Sequence, residues 1–145
     1  MEDVRMSKVR SVIDKIPAWG CTVATALLIL WLTLARKPLG DTDLQLFPGV
    51  DKVVHAIMFG WLAAMIVLDY VRAHRWKLDS KILIPVAVLF SSLFGVMIEY
   101  AQDLMHQGRS FDIGDIAADW IGAGIAGIIW YLLRGEFNGR EKDSR

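Results

Sequence analysis

Residues 113–133 read IGDIAADWIGAGIAGIIWYLL. A helix of about 20 residues, rising 1.5 Å per residue, crosses the hydrocarbon core of a bilayer, and this stretch is apolar enough to do so. Its first third is nevertheless acidic. Asp115 and Asp119, with Asp112 just ahead of them, recur at i, i+3 and i+7 and therefore share one helix face. The stripe descends roughly 10 Å from Asp112 to Asp119, from the surface into the apolar zone. Beside it Gly114, Ala118, Gly122 and Ala126 recur every four positions, a spacing that permits close helix–helix approach.

Three further stretches of similar length and character precede this one, at about 17–35, 53–71 and 82–101. Pro17 and Pro85 fall at the start of the first and third, where a missing N–H is tolerated. Together the four stretches take up more than half of the 145 residues, and 54% of the chain is apolar. Its mean hydropathy is +0.40. Too little chain remains for a second, soluble domain. A soluble enzyme, a nucleic-acid binder and a disulfide-stapled secreted module are excluded. Sixteen Lys+Arg balance 16 Asp+Glu, so no global basic field attracts nucleic acid, and the single Cys21 permits neither a disulfide nor a thiolate zinc site. The first stretch could be read as a signal peptide, but its apolar run is longer than such segments carry.

The expected fold is all-α, a polytopic membrane bundle of four transmembrane helices. Lys+Arg counts of 4, 3, 4, 1 and 4 in segments 1–16, 36–52, 72–81, 106–112 and 134–145 place 12 positive residues on alternate segments against 4 on the others. Because positive loops stay in the cytoplasm, both termini are expected inside. The chain then divides into a cytoplasmic segment 1–16, a membrane domain 17–133 and a cytoplasmic polar tail 134–145.

In that topology the polar residues collect at the outer ends of three spans. Asp51 and His55, at i and i+4, open the second span. Glu99 and Gln102 close the third, with His106 one turn beyond. Arg109, Ser110 and Asp112 lead into the fourth, and Asp115 and Asp119 continue along it. Asp51 and Asp112 have an ordinary reading as helix caps, and Asp69 with Arg72 reads as an interfacial pair with no further role. Glu99 and Asp119 are not placed to cap anything. A carboxylate at the centre of a span costs roughly 2.5–3.5 kcal/mol even on a lenient scale, so each needs a wet cavity or a partner. Five carboxylates then face essentially one strong local cation, Arg109, and like charges that close cannot all stay ionised.

At these residues the chain resembles the VanZ-like family of small multi-pass bacterial membrane proteins. The resemblance rests on Asp51-Lys52-x-x-His55, Gly95-x-x-x-Glu99-x-x-Gln102, Gly108-Arg109-Ser110-x-Asp112-x-x-Asp115 and the glycine-rich helix 122–127, and covers about residues 50–130. Asp119 stands where many relatives are expected to carry Asn. The resemblance implies a bacterial cytoplasmic (inner) membrane protein of the cell envelope. The family's founding member is linked to low-level resistance to the glycopeptide teicoplanin, and the family brings no settled mechanism.

Two functions compete. One is an enzyme, a hydrolase or transferase acting on a membrane lipid or lipid-linked envelope molecule. Its catalytic candidates are Asp51, His55, Glu99, Arg109, Asp112 and Asp115, with Gln102, Ser110 and Asp119 as binding residues. Glu99 and His55 would exchange protons, and Arg109 would hold an anionic group. A divalent cation, Mg²⁺, Mn²⁺ or Zn²⁺, could assist, and the mixed acid/His set does not choose among them. The other is a non-enzymatic binder of an envelope precursor or antibiotic. An ion or proton pathway fits less well, because the cytoplasmic halves of the third and fourth spans carry no ionisable residue.

Overall fold

The computed structural model describes residues 15–35, 48–74, 81–105 and 111–138, with side chains as far as residue 135. Among the described residues four helices form: α1 (Gly20–Leu34), α2 (Val50–Ala73), α3 (Leu83–Leu104) and α4 (Ile113–Asn138). There are no strands among the described residues. The last three are long and apolar enough to cross a membrane, whereas α1 is a shorter apolar helix. At 1.5 Å per residue the 15 residues of α1 extend only about 22 Å, against about 30 Å of hydrocarbon. Its start lies later than expected. Pro17 stands outside the helix, in a turn closed by the Gly20 N–H on the Pro17 carbonyl, with Trp19 in the left-handed region. The left-handed position before α2 is filled by Gly49, the residue type with no Cβ penalty there. Pro85 falls in the first turn of α3, as expected.

Contacts along α2 and α4 advance together: Lys52 with Asp112 and Asp115, His55 with Asp119, and Ala63 with Ala123 and Ala126. The two helices therefore run side by side in the same direction. They touch through small residues. A Cβ on Gly122 would collide with the Ala56 carbonyl, and one on Gly60 would lie 2.8 Å from the Gly122 carbonyl oxygen. α3 runs the opposite way, with Glu99 near Asp112, Gly95 against Asp119, and Val88 and Ile84 against Gly127.

α1 packs outside α2 and α3, fixed at both ends. The Thr22 N–H and hydroxyl both donate to Asp69 Oδ2, at 2.8 and 2.9 Å. Arg72 donates to Asp69 Oδ1 at 2.7 Å and to the Ile16 carbonyl at 2.7 Å. Asp69 and Arg72 are thus a clamp on the first helix, not an isolated interfacial pair. At the other end of α1, Gln102 Nε2 donates to the Thr33 carbonyl at 2.9 Å.

The buried core runs through Ile29, Phe59, Leu62, Val67, Val71 and Ile98. Large apolar side chains such as Leu27, Ile57, Trp61, Met97, Ile121 and Ile128 lie exposed on the outside. In water that surface would be costly. In a bilayer it is the ordinary lipid-facing surface, with the backbone satisfied inside each helix.

Candidate functional site

The sequence places a polar residue wherever α2, α3 and α4 meet at one end of the bundle: in the first turns of α2 and α4 and the last turns of α3. Asp112 caps α4. Its Oδ1 accepts the Gly114 N–H at 2.6 Å, and its carbonyl accepts from Asp115 and Ile116. The Lys52 ammonium, and after it the Gly114 N–H, hold the Asp112 carboxyl below the usual carboxylate range.

Lys52 organises the outer rim. Its Nζ lies 3.2 Å from Asp51, 2.9 Å from Asp112 and 3.1 Å from Asp115. The cation that faces the acids among the described residues is therefore Lys52, where the charge balance of the sequence pointed to Arg109. Arg109, Ser110 and His106 lie outside the described residues. A signal for Lys52 was present: it sits three residues before His55, one turn away on the same helix face.

Below the rim the burial deepens stepwise. Side-chain exposure falls from 55% at Asp51 and 45% at Asp112 to 14% at Asp115, 9% at His55 and 0% at Asp119. His55 Nδ1 lies 3.0 Å from Asp119 Oδ1, and His55 Nε2 lies 3.9 Å from Asp115 Oδ2. An ionised Asp119 can only accept, so it holds an imidazole proton on Nδ1, with Nε2 directed toward Asp115. The imidazole also stacks on Phe59, with ring centroids 5.9 Å apart.

Glu99 enters from α3. Contrary to the sequence expectation it does cap, because its Oε2 accepts the Asp112 N–H at 3.1 Å, just ahead of α4. Its Oε1 is buried without a hydrogen-bond partner among the described residues, as is Asp119 Oδ2. Asp119 owes its place to Gly95, one helical turn before Glu99: any Cβ there would collide with the Asp119 carboxylate. The Gly95-x-x-x-Glu99 spacing thus supplies one acid and the room for another.

The structure therefore gathers Asp51, His55, Glu99, Asp112, Asp115 and Asp119 at one end of the bundle and adds Lys52. Gln102 is engaged with Thr33 on α1 instead of with His55 and the acids. His55, Glu99 and Asp115 each offer a ligand atom within 4.8 Å of the others, as do Asp51, Asp112 and Asp115. Such a set can move protons, bind a cation, or hold a ligand that supplies hydrogen-bond donors.

These features define a multi-pass membrane protein with a graded, carboxylate-rich polar site at one end of its helices. The chain belongs to the VanZ/LLP1 family, whose model matches residues 7–134. No curated protein and no solved structure matches it.

Proposed function

We propose that the cluster takes the polar head of an amphiphilic cell-envelope molecule at the outer face of the bacterial cytoplasmic membrane and turns it over by acid–base chemistry. The buried His55–Asp119 pair carries this reading. An imidazole oriented by a carboxylate on Nδ1, with Nε2 toward a second carboxylate, is a general base arrangement, and it sits inside an apolar bundle where burying such a polar pair is costly. Asp119 positions His55. Glu99 and His55 exchange protons with the bound head group. The rim of Asp51, Lys52, Asp112 and Asp115 meets it first. Arg109 is the expected contact to an anionic group. The 12-to-4 bias of Lys+Arg between alternate segments supports the outward orientation.

One observation favours binding without turnover. Among the described residues no hydroxyl or thiol hydrogen-bonds His55, so no alcohol or thiol nucleophile is poised for it to activate. The two readings separate in one experiment. The purified full chain and its His55→Ala variant are incubated with a bacterial envelope-lipid extract, and both lipid and protein fractions are read by mass spectrometry. A new product made by the wild type alone is the expected result. A lipid retained unchanged by the wild type alone replaces the enzyme with a binder. Identical extracts and identical retained lipids for both proteins sink both readings.

A further inference from the structure

We infer that the inner half of the cluster holds a divalent first-row metal ion, bound by His55 Nε2 and one carboxylate oxygen each of Glu99 and Asp115. The inference rests on the reading of this cluster as a working site and names its cofactor. Each of the three residues presents a ligand atom within 4.8 Å of the other two. Two ligands bonded to one ion at about 2.0–2.2 Å lie about 3.3–3.6 Å apart in a tetrahedral shell and never more than about 4.4 Å, so the set needs a closure of about 1 Å. The His55 Nε2–Asp115 Oδ2 separation of 3.9 Å already falls inside that limit.

Three further observations point to a ligand there. Glu99 is 1% exposed, and among the described residues its Oε1 has no hydrogen-bond partner while Oε2 is satisfied by the Asp112 N–H. A desolvated carboxylate oxygen with nothing opposite is costly, and a cation removes that cost. Next, Asp119 takes the Nδ1 side of the imidazole at 3.0 Å, the carboxylate–histidine arrangement that orients a metal-binding imidazole and fixes its tautomer. Finally, Lys52 separates the two acid sets. Its ammonium stands among Asp51, Asp112 and Asp115 at 2.9–3.2 Å, where it already serves as the cation of the outer set. Asp115 bridges the two levels, with Oδ1 toward Lys52 and Oδ2 toward His55. Within the inner set only Asp115 touches that ammonium; neither His55 nor Glu99 has a Lys or Arg ion pair among the described residues.

An imidazole with two carboxylates suits Zn²⁺ or Mn²⁺ better than Mg²⁺ or Ca²⁺, which favour all-oxygen shells. Three protein ligands leave coordination positions open, as sites that act on a substrate do.

The test uses the full chain in detergent, stripped with a chelator, to which Zn²⁺ or Mn²⁺ alone is returned. Bound metal is counted by mass spectrometry, and the thermal midpoint is recorded with and without ion. The wild type and Asp103→Asn, which alters an exposed carboxylate on the same helix, are expected to bind one ion per chain with a raised midpoint. Glu99→Gln and His55→Gln are expected to lose both effects. Asp119→Asn is expected to weaken affinity roughly 10–100-fold, the usual cost of altering an outer-shell partner. A metal-free Glu99→Gln midpoint equal to the wild type's shows that the variant is folded. If Glu99→Gln does not express, Co²⁺ loaded into the wild type reads the ligand shell: one imidazole among oxygen ligands upholds the site, and an all-oxygen shell overturns it. A wild type that retains no ion and whose midpoint neither ion moves overturns it too, as does Glu99→Gln binding with unchanged affinity. Metal bound without lipid turnover upholds this site while ending the enzyme reading.

Discussion

Lys52 holds the outer rim together: one ammonium faces three carboxylates on two helices, and without it Asp51, Asp112 and Asp115 face one another. Lys52→Met keeps most of the aliphatic stem and removes the charge. It should lower the thermal midpoint by several degrees at low salt, and added salt should narrow the gap by screening the acids. A midpoint insensitive to both changes would show that the rim does not contribute to stability. Asp112 adds a pH dependence whose sign is fixed. Its carboxyl is held below the ordinary aspartate value of 3.8 by Lys52 and then by the Gly114 N–H. The stability this brings is complete above that ordinary value and is lost as the pH falls through the lowered one. Asp112→Asn preserves a good helix cap but has no proton to take up, so its midpoint should fall less steeply than the wild type's between about pH 5 and pH 2. Parallel curves would remove Asp112 from the acid response. The acids of the site were legible because a carboxylate inside an apolar run is conspicuous. Lys52 left only the weak signal of its one-turn spacing from His55, because a lysine beside an aspartate at a helix start has the pattern of a solvated surface. Asp69 was misread for a related reason, and the Gln102 contact to α1 went unseen: their partners, Thr22 and the Thr33 carbonyl, are 47 and 69 residues away and are polar groups on a helix that otherwise looks apolar.

The contact between α2 and α4 sets how close the two acid-bearing helix starts can come. Gly122 lies directly on the Ala56 carbonyl, one residue after His55, and Gly60 faces the Gly122 carbonyl from the next turn. The four-residue stripe of small residues made this face legible in the sequence. Which helix it meets was not legible, because a small-residue stripe fits any neighbour that brings small residues of its own. The cost of filling it can be stated. Gly122→Ala forces two backbones apart and should destabilise by about 1–3 kcal/mol, as overpacking does elsewhere. Gly124 lies two residues on, with nothing within 4 Å of where its Cβ would stand. There the same substitution only removes a glycine from a helix interior and should stabilise by about 0.5–1 kcal/mol. Detergent melts of the two variants check the pair. A neutral Gly122→Ala would mean that α2 and α4 can separate freely. The helix ends were less legible than the helices themselves. α2 begins at Val50 and α3 runs to Leu104, a few residues beyond their apolar runs, because Asp51, Lys52 and Gln102 continue the helix while serving the rim and α1.

At the scale of the whole molecule, the convergence of three helices at one end gives the protein a polar end and an apolar remainder. The α1 clamp through Asp69 and Arg72 sits at the opposite end, where α2 finishes. Alternating helix directions and the charge bias of the loops together give the expected orientation of this asymmetry, in which the acid–histidine end faces out. Orientation is what links the site to envelope chemistry, so it is the property to test directly. In a Cys21→Ser background, a cysteine at Asp103, exposed at the end of α3 beside the cluster, should react with an impermeant thiol reagent on intact cells or spheroplasts. A cysteine at His74, exposed just past α2 at the opposite end, should react only after the membrane is opened. The opposite pattern would turn the carboxylate end toward the cytoplasm. The helix packing, the Lys52 rim and the inner ligand set would stand unchanged, since none depends on which side faces out. An outer-face envelope substrate would not survive, because its head group would lie across the bilayer from His55.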